Sequence, residues 1–495
     1  MKNDNRESSY NHVLKYTGLF GGVQGLNILM GLVRNKLVAL LLGPDGMGLA
    51  SIFNTTVSFI SQSTNLGISF SAVKHLSEIY DSGNEKIVNH FIKLIRAWSI
   101  VTALLGMIAC VFLGPLFSNL VFSWGDHTLH FILLAPAVGL IALTGGETAI
   151  LKATRQLRSL ASIQIYNVFA ALVVSVPLYY FFGQAGIVPV IFLMALVTML
   201  FTIIYSFRRY PLQLRGSIRI LGRGTRMIKL GLAFVAAGIL GSGVEMIVRA
   251  YFSYYGSLDV VGFYNAGYML TVTYAGMVFS AMETDFFPRL SAVNSDTGSR
   301  NLTVNRQIEV SILMVSPMLV ALMVLLPVLI PLFYSGKFLP VVSMAQITIF
   351  SMFFKSVSLP ISYLTLAKSD SVAYLVLEGI SDVVMVIMII MGFRIWGLWG
   401  AGLGISVAYF IDLFVVLAFV HAHYGYRMSS TVIRYMAVFL PLGILSYSFT
   451  FISSPCLYWI AAIVVMVVSS ALSLYILRQK TSLWDSLKHK FVHHA

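Results

Sequence analysis

The sequence is poor in charged residues, which make up only 11% of its 495 residues. Soluble domains carry about 25% charged residues, so this composition excludes an ordinary soluble fold. Hydrophobic residues reach 58%, and the mean hydropathy is +0.85. The sequence therefore predicts a membrane protein, in which most side chains face lipid or other helices.

Cysteine and the common catalytic motifs are also scarce. The two cysteines, Cys110 and Cys456, lie in separate apolar runs, which excludes a disulfide framework. The sequence contains no P-loop, HExxH or GxSxG motif and no aspartate cluster for a metal–phosphate site. We therefore predict that the protein is not an enzyme and has no catalytic residue, metal or cofactor. Energy for transport would come from an ion gradient, a partner or the substrate itself.

Acidic residues number 19 against 33 lysines and arginines, which gives a net charge of +14. In a membrane protein such an excess follows the positive-inside rule, so we predict membrane lipids and no nucleic acid as partners. The loop charges place both termini in the cytoplasm. A basic stretch without acids runs through Arg208, Arg215, Arg219 and Arg223, and it predicts a cytoplasmic linker over 208–227 beside anionic lipid.

Apolar stretches of about 20 residues predict the membrane spans. We count about fourteen such helices, which makes the fold class an all-α polytopic membrane protein. The predicted spans are 16–42, 47–72, 92–117, 129–151, 161–182, 185–207, 228–252, 260–284, 308–334, 342–366, 372–393, 397–420, 431–452 and 456–477.

The spans group into two six-helix lobes that share an internal echo. Val33-Arg34 precedes a glycine-rich turn at 43–48, and Val248-Arg249 precedes a similar turn at 256–262, about 214 residues later. Because six helices separate the two copies, both copies cross the membrane in the same orientation. The echo therefore predicts parallel pseudo-repeats around a central cavity. The alternative is a chance match. The predicted domains are an N-lobe over 14–207, a C-lobe over 228–420, extra helices over 431–478 and a cytoplasmic tail over 479–495.

Four cations within or near the spans are candidates for substrate binding: Arg34, Lys36, Arg249 and Lys355. An intramembrane cation costs about 2.5–3.5 kcal/mol on insertion scales, so each needs a wet cavity or a buried partner. A cationic cavity favours an anionic ligand, and arginine matches phosphate oxygens. The alternatives are a structural ion pair for Arg34 and Lys355, and an interfacial anchor for Lys36 and Arg249.

Four acids form a second group of candidates, for coupling to H+ or Na+: Glu245, Glu378, Asp382 and Asp412. Glu378 and Asp382 are separated by four residues and share a helix face. They either bind a coupling ion or neutralise Lys355. Glu245 has the same spacing to Arg249, with which it either pairs or competes for an ion.

Several motifs resemble the polysaccharide transporters of the MOP exporter superfamily, the Wzx-type O-antigen translocases. They occur in the family's order and cover roughly 14–420. The matching stretches are Arg34 with 42–48, 151–155, 287–291, and 335–338 followed by Lys355, 367–368 and 377–378. The resemblance implies twelve core helices in two lobes with a central cationic cavity and alternating access. The two extra C-terminal helices are similar in number to those of lipid II flippases, but the stretch 265–268 lacks their acid–Arg pair.

The resemblance implies a flippase for undecaprenyl-diphosphate-linked oligosaccharide, such as an O-antigen unit, in a bacterial inner membrane. The substrate would move from the cytoplasmic to the periplasmic leaflet. A polysaccharide polymerase and glycosyltransferases are the implied protein partners. The alternatives are a multidrug or cation antiporter of the same superfamily, a lipid II flippase, and a non-transporting scaffold for polysaccharide synthesis. The sequence does not distinguish among sugar repeat units.

Overall fold

A computed structural model describes residues 2–81, 83–123, 125–212, 225–293 and 296–480. Every regular element within these ranges is helical, which confirms the predicted all-α class. The predicted linker and tail lie mostly outside the described residues. The helices are α1 Lys2–Thr64, α2 Ile68–Asp81, α3 Glu85–Val121, α4 Thr128–Ala153, α5 Leu157–Phe182, α6 Ile187–Arg209, α7 Thr225–Tyr255, α8 Leu258–Tyr268, α9 Ala275–Ala292, α10 Thr297–Phe333, α11 Val341–Thr348, α12 Phe350–Ala367, α13 Ser371–Tyr424, α14 Ser430–Phe449 and α15 Pro455–Lys480.

Nine helical stretches in the described ranges are long and apolar enough to cross a membrane. Two of them, α1 and α13, each contain a break between two predicted spans. The backbone of α1 leaves the helical region at Gly43, where φ is 71° and Pro44 follows, and α13 does so at Trp396 and Gly397. The turn predicted after residue 42 is therefore confirmed. The total of fourteen spans stays a prediction.

Prolines interrupt the hydrogen-bond ladder of α10, and side chains from other helices repair it. Proline at 317 and 327 removes the N–H groups that would bond the carbonyls four residues earlier. The Ser473 hydroxyl of α15 donates to the Leu313 carbonyl, and the Gln346 amide of α11 donates to the Met323 carbonyl at 3.2 Å. The freed carbonyls are thus satisfied inside the apolar helix packing, where water is scarce.

The chain divides into two compact units, which are described separately. The first comprises Met1–Phe263 and Phe333–Lys337, and the second comprises Tyr264–Leu332 and Phe338–Ala495. In the first unit α2, α3 and α4 pack around a core of buried aliphatic side chains, among them Ile68, Leu76, Ile95 and Ile150. The predicted lobe boundaries and their repeat symmetry stay predictions.

Within the first unit, the start of α8 packs closely on α1 just beyond the Gly43 turn. A Cβ atom on Gly48 would lie 2.1 Å from the Leu258 carbonyl oxygen, and one on Gly262 would lie 1.9 Å from the Pro44 carbonyl oxygen. Only glycine permits so close an approach of two backbones. A shift of 214 residues takes Pro44 to Leu258 and Gly48 to Gly262, so it converts one contact into the other. The echoed arginines, Arg34 and Arg249, are separated by nearly the same distance in sequence, 215 residues. The sequence echo thus corresponds to a reciprocal packing contact.

Candidate functional site

A cavity with a volume of about 530 Å³ lies among α1, α2, α4, α5 and α6 in the first unit. We call it the Arg34 cavity. Arg34 enters it from the first half of α1, and Lys152 enters it from the end of α4. Polar side chains supply much of the remaining wall: Asn54, Ser58, Ser69, Thr144, Thr148, Tyr179 and Thr198.

The Arg34 cavity is positively charged. Its two ionisable cations are Arg34 and Lys152, and no carboxylate is among its described lining residues. The Arg34 guanidinium lies against the Tyr179 hydroxyl, and its Nε is buried without a hydrogen-bond partner in the described part of the chain. The Thr144 and Thr198 hydroxyls donate to carbonyls of their own helices at 2.8 Å. The two cations therefore dominate the field inside the cavity.

The other three predicted substrate cations, Lys36, Arg249 and Lys355, are not among the residues that line the Arg34 cavity. Lys36 is half-buried. Arg249 is only 5% exposed and donates to the Ser51 hydroxyl at 2.7 Å and to the Glu245 carboxylate at 3.1 Å. The predicted spacing of Glu245 and Arg249 therefore produces an ion pair. This ion pair fits an anchoring role for Glu245 and Arg249 better than a role in ligand binding.

A second cavity, of about 180 Å³, lies between α12 and the two halves of α13 in the second unit. We call it the Lys355 cavity. It brings together Lys355, Glu378, Asp382 and Asp412, and the first and last of these are 57 residues apart in sequence. The Ser381 hydroxyl donates to Asp412, and the Lys355 ammonium lies 5.7 Å from the ring centre of Tyr409.

The Lys355 cavity is opposite in charge to the Arg34 cavity. Its three carboxylates outnumber its one ammonium, so its formal net charge is −2 when all four groups are ionised. The four charged side chains are half-buried, and an excess of negative charge in such a cluster favours the binding of protons or cations. The surroundings of Lys355 therefore favour a role in an acidic, cation-accepting cluster rather than as a ligand for phosphate.

Sequence reasoning missed Lys152 and Tyr179 as cavity residues, because Lys152 ends an apolar run and resembles a loop anchor. A usable signal was present in the spacing of Thr144, Thr148 and Lys152, since residues four apart share a helix face. A similar polar stripe on α12 runs from Lys355 through Ser358 and Ser362. Tyr179 carries no comparable signal, because aromatic residues are common at span ends.

Comparison with protein families finds one described as "Polysaccharide biosynthesis protein", whose model matches residues 37–343. No curated protein matches the sequence.

Solved structures of similar fold include transporters and a flippase. The lipid II flippase MurJ in an inward closed conformation has a TM-score of 0.70 at 15% identity, with 93% of this chain and 99% of that chain covered. An inward-facing multidrug resistance MATE family transporter of the MOP superfamily has a TM-score of 0.68 at 15% identity, with coverage of 83% and 96%. A MOP superfamily transporter from Pyrococcus furiosus with a binding pocket of reverse polarity has a TM-score of 0.55 at 16% identity, with coverage of 82% and 93%.

Proposed function

Because the chain belongs to the family of polysaccharide biosynthesis proteins and has the fold of MOP superfamily transporters, we propose that it is a flippase for lipid-linked oligosaccharide. The substrate is an undecaprenyl-diphosphate-linked oligosaccharide, such as an O-antigen repeat unit. The protein moves it from the cytoplasmic to the periplasmic leaflet of a bacterial inner membrane by alternating access. Both termini are cytoplasmic in this proposal.

The observation that carries the proposal is the charge of the Arg34 cavity. A diphosphate that leaves water needs fixed positive partners, because an unpaired anion in an apolar medium is prohibitively costly. Arg34 and Lys152 offer such partners without a competing carboxylate in the described lining. The hydroxyl and amide groups of the wall suit sugar oxygens. A cationic drug would be repelled by the same cavity.

The Lys355 cavity supports coupling of this transport to a cation gradient. Its formal charge of −2 creates a demand for H+ or Na+ that the described residues do not meet by themselves. Glu378, Asp382 and Asp412 are the acids that would bind the ion, and Lys355 is the internal cation with which the ion competes.

The test measures translocation in proteoliposomes that contain the purified full chain. A fluorescent undecaprenyl-diphosphate-linked oligosaccharide is loaded symmetrically, and a membrane-impermeant quencher reports its leaflet. We expect Arg34→Ala and Lys152→Ala to reduce the translocation rate strongly, because each removes half of the positive charge of the cavity. Protein incorporation, measured on the same vesicles, should remain unchanged.

The matched control is Lys86→Ala, which removes one exposed cation at the start of α3, outside the Arg34 cavity. It should transport at the wild-type rate. Wild-type rates in both Arg34→Ala and Lys152→Ala would contradict the proposed role of the cavity.

A cation or multidrug antiporter is the second candidate, and the acidic Lys355 cavity is the observation that favours it. The two functions differ in their ligands. An antiporter would exchange a cationic drug for H+ or Na+ and would depend on Asp412, with little effect of Arg34. Uptake of a cationic dye into the same proteoliposomes, with Arg34→Ala and Asp412→Asn compared side by side, distinguishes the two. Lipid II in place of the oligosaccharide lipid tests the lipid II alternative.

A further inference from the structure

A third cavity lies where α3 begins and α6 ends. It has a volume of about 480 Å³ and lies entirely within the first unit. Its cationic side chains are Lys93, Arg96 and Arg209, and Glu85 is the one acid among its described lining residues. The apolar span Glu85–Val121 begins at this cavity and the span Leu157–Arg209 ends at it, so the cavity lies at the predicted cytoplasmic boundary of the membrane.

Arg96 forms a rigid floor for this cavity. It is 4% exposed, and its guanidinium donates to both Glu147 carboxylate oxygens, at 2.7 and 3.1 Å. It also donates to the carbonyls of Tyr210 and Pro211, at 2.9 and 3.1 Å. These bonds fix the segment that follows α6 against α3. Because Glu147 balances the charge of Arg96, Lys93 and Arg209 are the remaining cations, and together with Glu85 they give the cavity a formal net charge of +1.

The remaining wall combines polar donors with apolar surface. Tyr80 and Asn89 are polar and Val88, Ile92 and Pro211 are apolar. The cavity also includes Gly83 and Glu85 at the N-terminus of α3, where the Asn84 side chain accepts hydrogen bonds from the Lys86 and Ile87 N–H groups and the helix dipole is positive. Converging cations beside an apolar wall at a membrane boundary are the features by which proteins hold lipid phosphate groups.

We propose that this cavity binds the phosphate group of an anionic membrane lipid, with Lys93 and Arg209 as its cationic ligands. The site is separate from the Arg34 cavity and does not depend on which substrate is transported. Lys93 comes from α3, and Arg209 comes from the last turn of α6. A phosphate held by both side chains bridges these helices at the point where the chain enters the basic stretch before α7.

The experiment compares lipid adducts of the purified full chain by native mass spectrometry. The probes are phosphatidylglycerol and zwitterionic phosphatidylcholine. We expect wild type to retain phosphatidylglycerol preferentially. The double variant Lys93→Ala/Arg209→Ala should lose that preference, by about fivefold for each cation removed. The double variant Lys93→Arg/Arg209→Lys should keep it, because both charges are preserved.

The control is Lys86→Ala/Arg208→Ala, which removes two cations from the same helices but none from the cavity lining. It should bind phosphatidylglycerol as wild type does. Equal losses in the control and the Lys93→Ala/Arg209→Ala variant, or no loss in either, would overturn the proposal.

Free pyrophosphate distinguishes a lipid from a soluble source of the phosphate. For a lipid site, millimolar pyrophosphate should leave the phosphatidylglycerol adduct in place. Displacement of the lipid by pyrophosphate, together with pyrophosphate binding that is lost in Lys93→Ala/Arg209→Ala, would support a phosphate site and reject the lipid as its ligand.

Discussion

At the scale of single residues, Arg34 and Lys152 contribute different kinds of positive charge to one cavity. An arginine offers a planar fork of donors, while a lysine offers a compact and mobile ammonium. Arg34 is held against Tyr179, and Lys152 is exposed at the end of α4. Arg34 is therefore the better placed of the two for oriented binding of a phosphate group.

We predict that Arg34→Lys will translocate the oligosaccharide lipid more slowly than wild type but faster than Arg34→Ala. Lysine restores the charge but loses the two-pronged contact, which is worth roughly 1.5–3 kcal/mol for hydrogen bonds to charged groups. The proteoliposome assay measures all three variants, with Lys152→Arg as the reciprocal substitution. Equal rates for Arg34→Lys and wild type would show that charge alone is required.

Asp370 is a residue outside the spans whose ionisation stabilises the fold. Its carboxylate accepts hydrogen bonds from the Ala373 N–H at 3.0 Å and from the Tyr424 hydroxyl at 2.9 Å. These bonds hold the pKa of Asp370 below its ordinary value of 3.8, and the bond from Ala373 has the larger effect. The carboxylate thereby caps the start of α13 and ties it to the end of the same helix.

The direction of this pKa shift predicts how stability depends on pH. A lowered pKa means that the folded state binds the proton more weakly than the unfolded state. The stabilisation is therefore fully present well above the unfolded pKa of about 4, and it is lost as the pH falls through that value toward the lower folded pKa. We expect Asp370→Asn to lower the thermal unfolding midpoint at pH 7. The gap from wild type should narrow as the pH falls below about 4.

At the scale of helices, α15 completes the hydrogen bonding of α10. The Ser473 hydroxyl of α15 reaches the Leu313 carbonyl, which Pro317 leaves without its usual partner. The Tyr458 hydroxyl of the same helix donates to the Val324 carbonyl at 2.7 Å. These contacts give α15, one of the two extra C-terminal helices, a structural role within the second unit.

We predict that Ser473→Ala destabilises the protein by about 1 kcal/mol, because it leaves the Leu313 carbonyl unsatisfied in an apolar environment. The control is Ser448→Ala, whose exposed hydroxyl donates to the Ile444 carbonyl within its own helix. Thermal unfolding in the same detergent compares the two. The Pro317→Ala/Ser473→Ala double variant should recover most of the loss, since alanine at 317 restores the N–H for that carbonyl; failure to recover would refute this account.

The helices were predictable from sequence where one physical signal dominated. Apolar length predicted an all-helical membrane protein, and the glycine followed by proline at 43–44 predicted the break in α1. The predicted span 47–72 was wrong in its bounds, because α1 ends at Thr64 and α2 begins at Ile68. The pairing of Arg96 with Glu147 was not predictable, because it joins residues 51 positions apart and depends on how α3 packs on α4. The same limit applies to the site. Spacing showed that Glu378 and Asp382 share a face, but only the fold brings Lys355 and Asp412 to them.

At the scale of the whole molecule, the two units contain cavities of opposite charge. The first unit offers a cavity with two cations, and the second offers one with three acids and a single lysine. In the proposed function an anionic substrate and a coupling cation therefore bind to different units. The substitutions that remove substrate binding and those that remove coupling should then have separable effects on transport.

A potential of 100 mV is worth about 2.3 kcal/mol for each elementary charge moved, so an imposed H+ or Na+ gradient should accelerate translocation by wild type. Asp412→Asn removes one acid of the Lys355 cavity, and we expect it to abolish the acceleration by the gradient. Arg34→Ala should transport poorly whether or not a gradient is present. The control is Asp126→Asn, an acid in the connection between α3 and α4, which should respond to the gradient as wild type does. If Asp412→Asn still responded fully to both gradients, the acidic cavity would have no part in coupling, and the cationic cavity would account for transport without it.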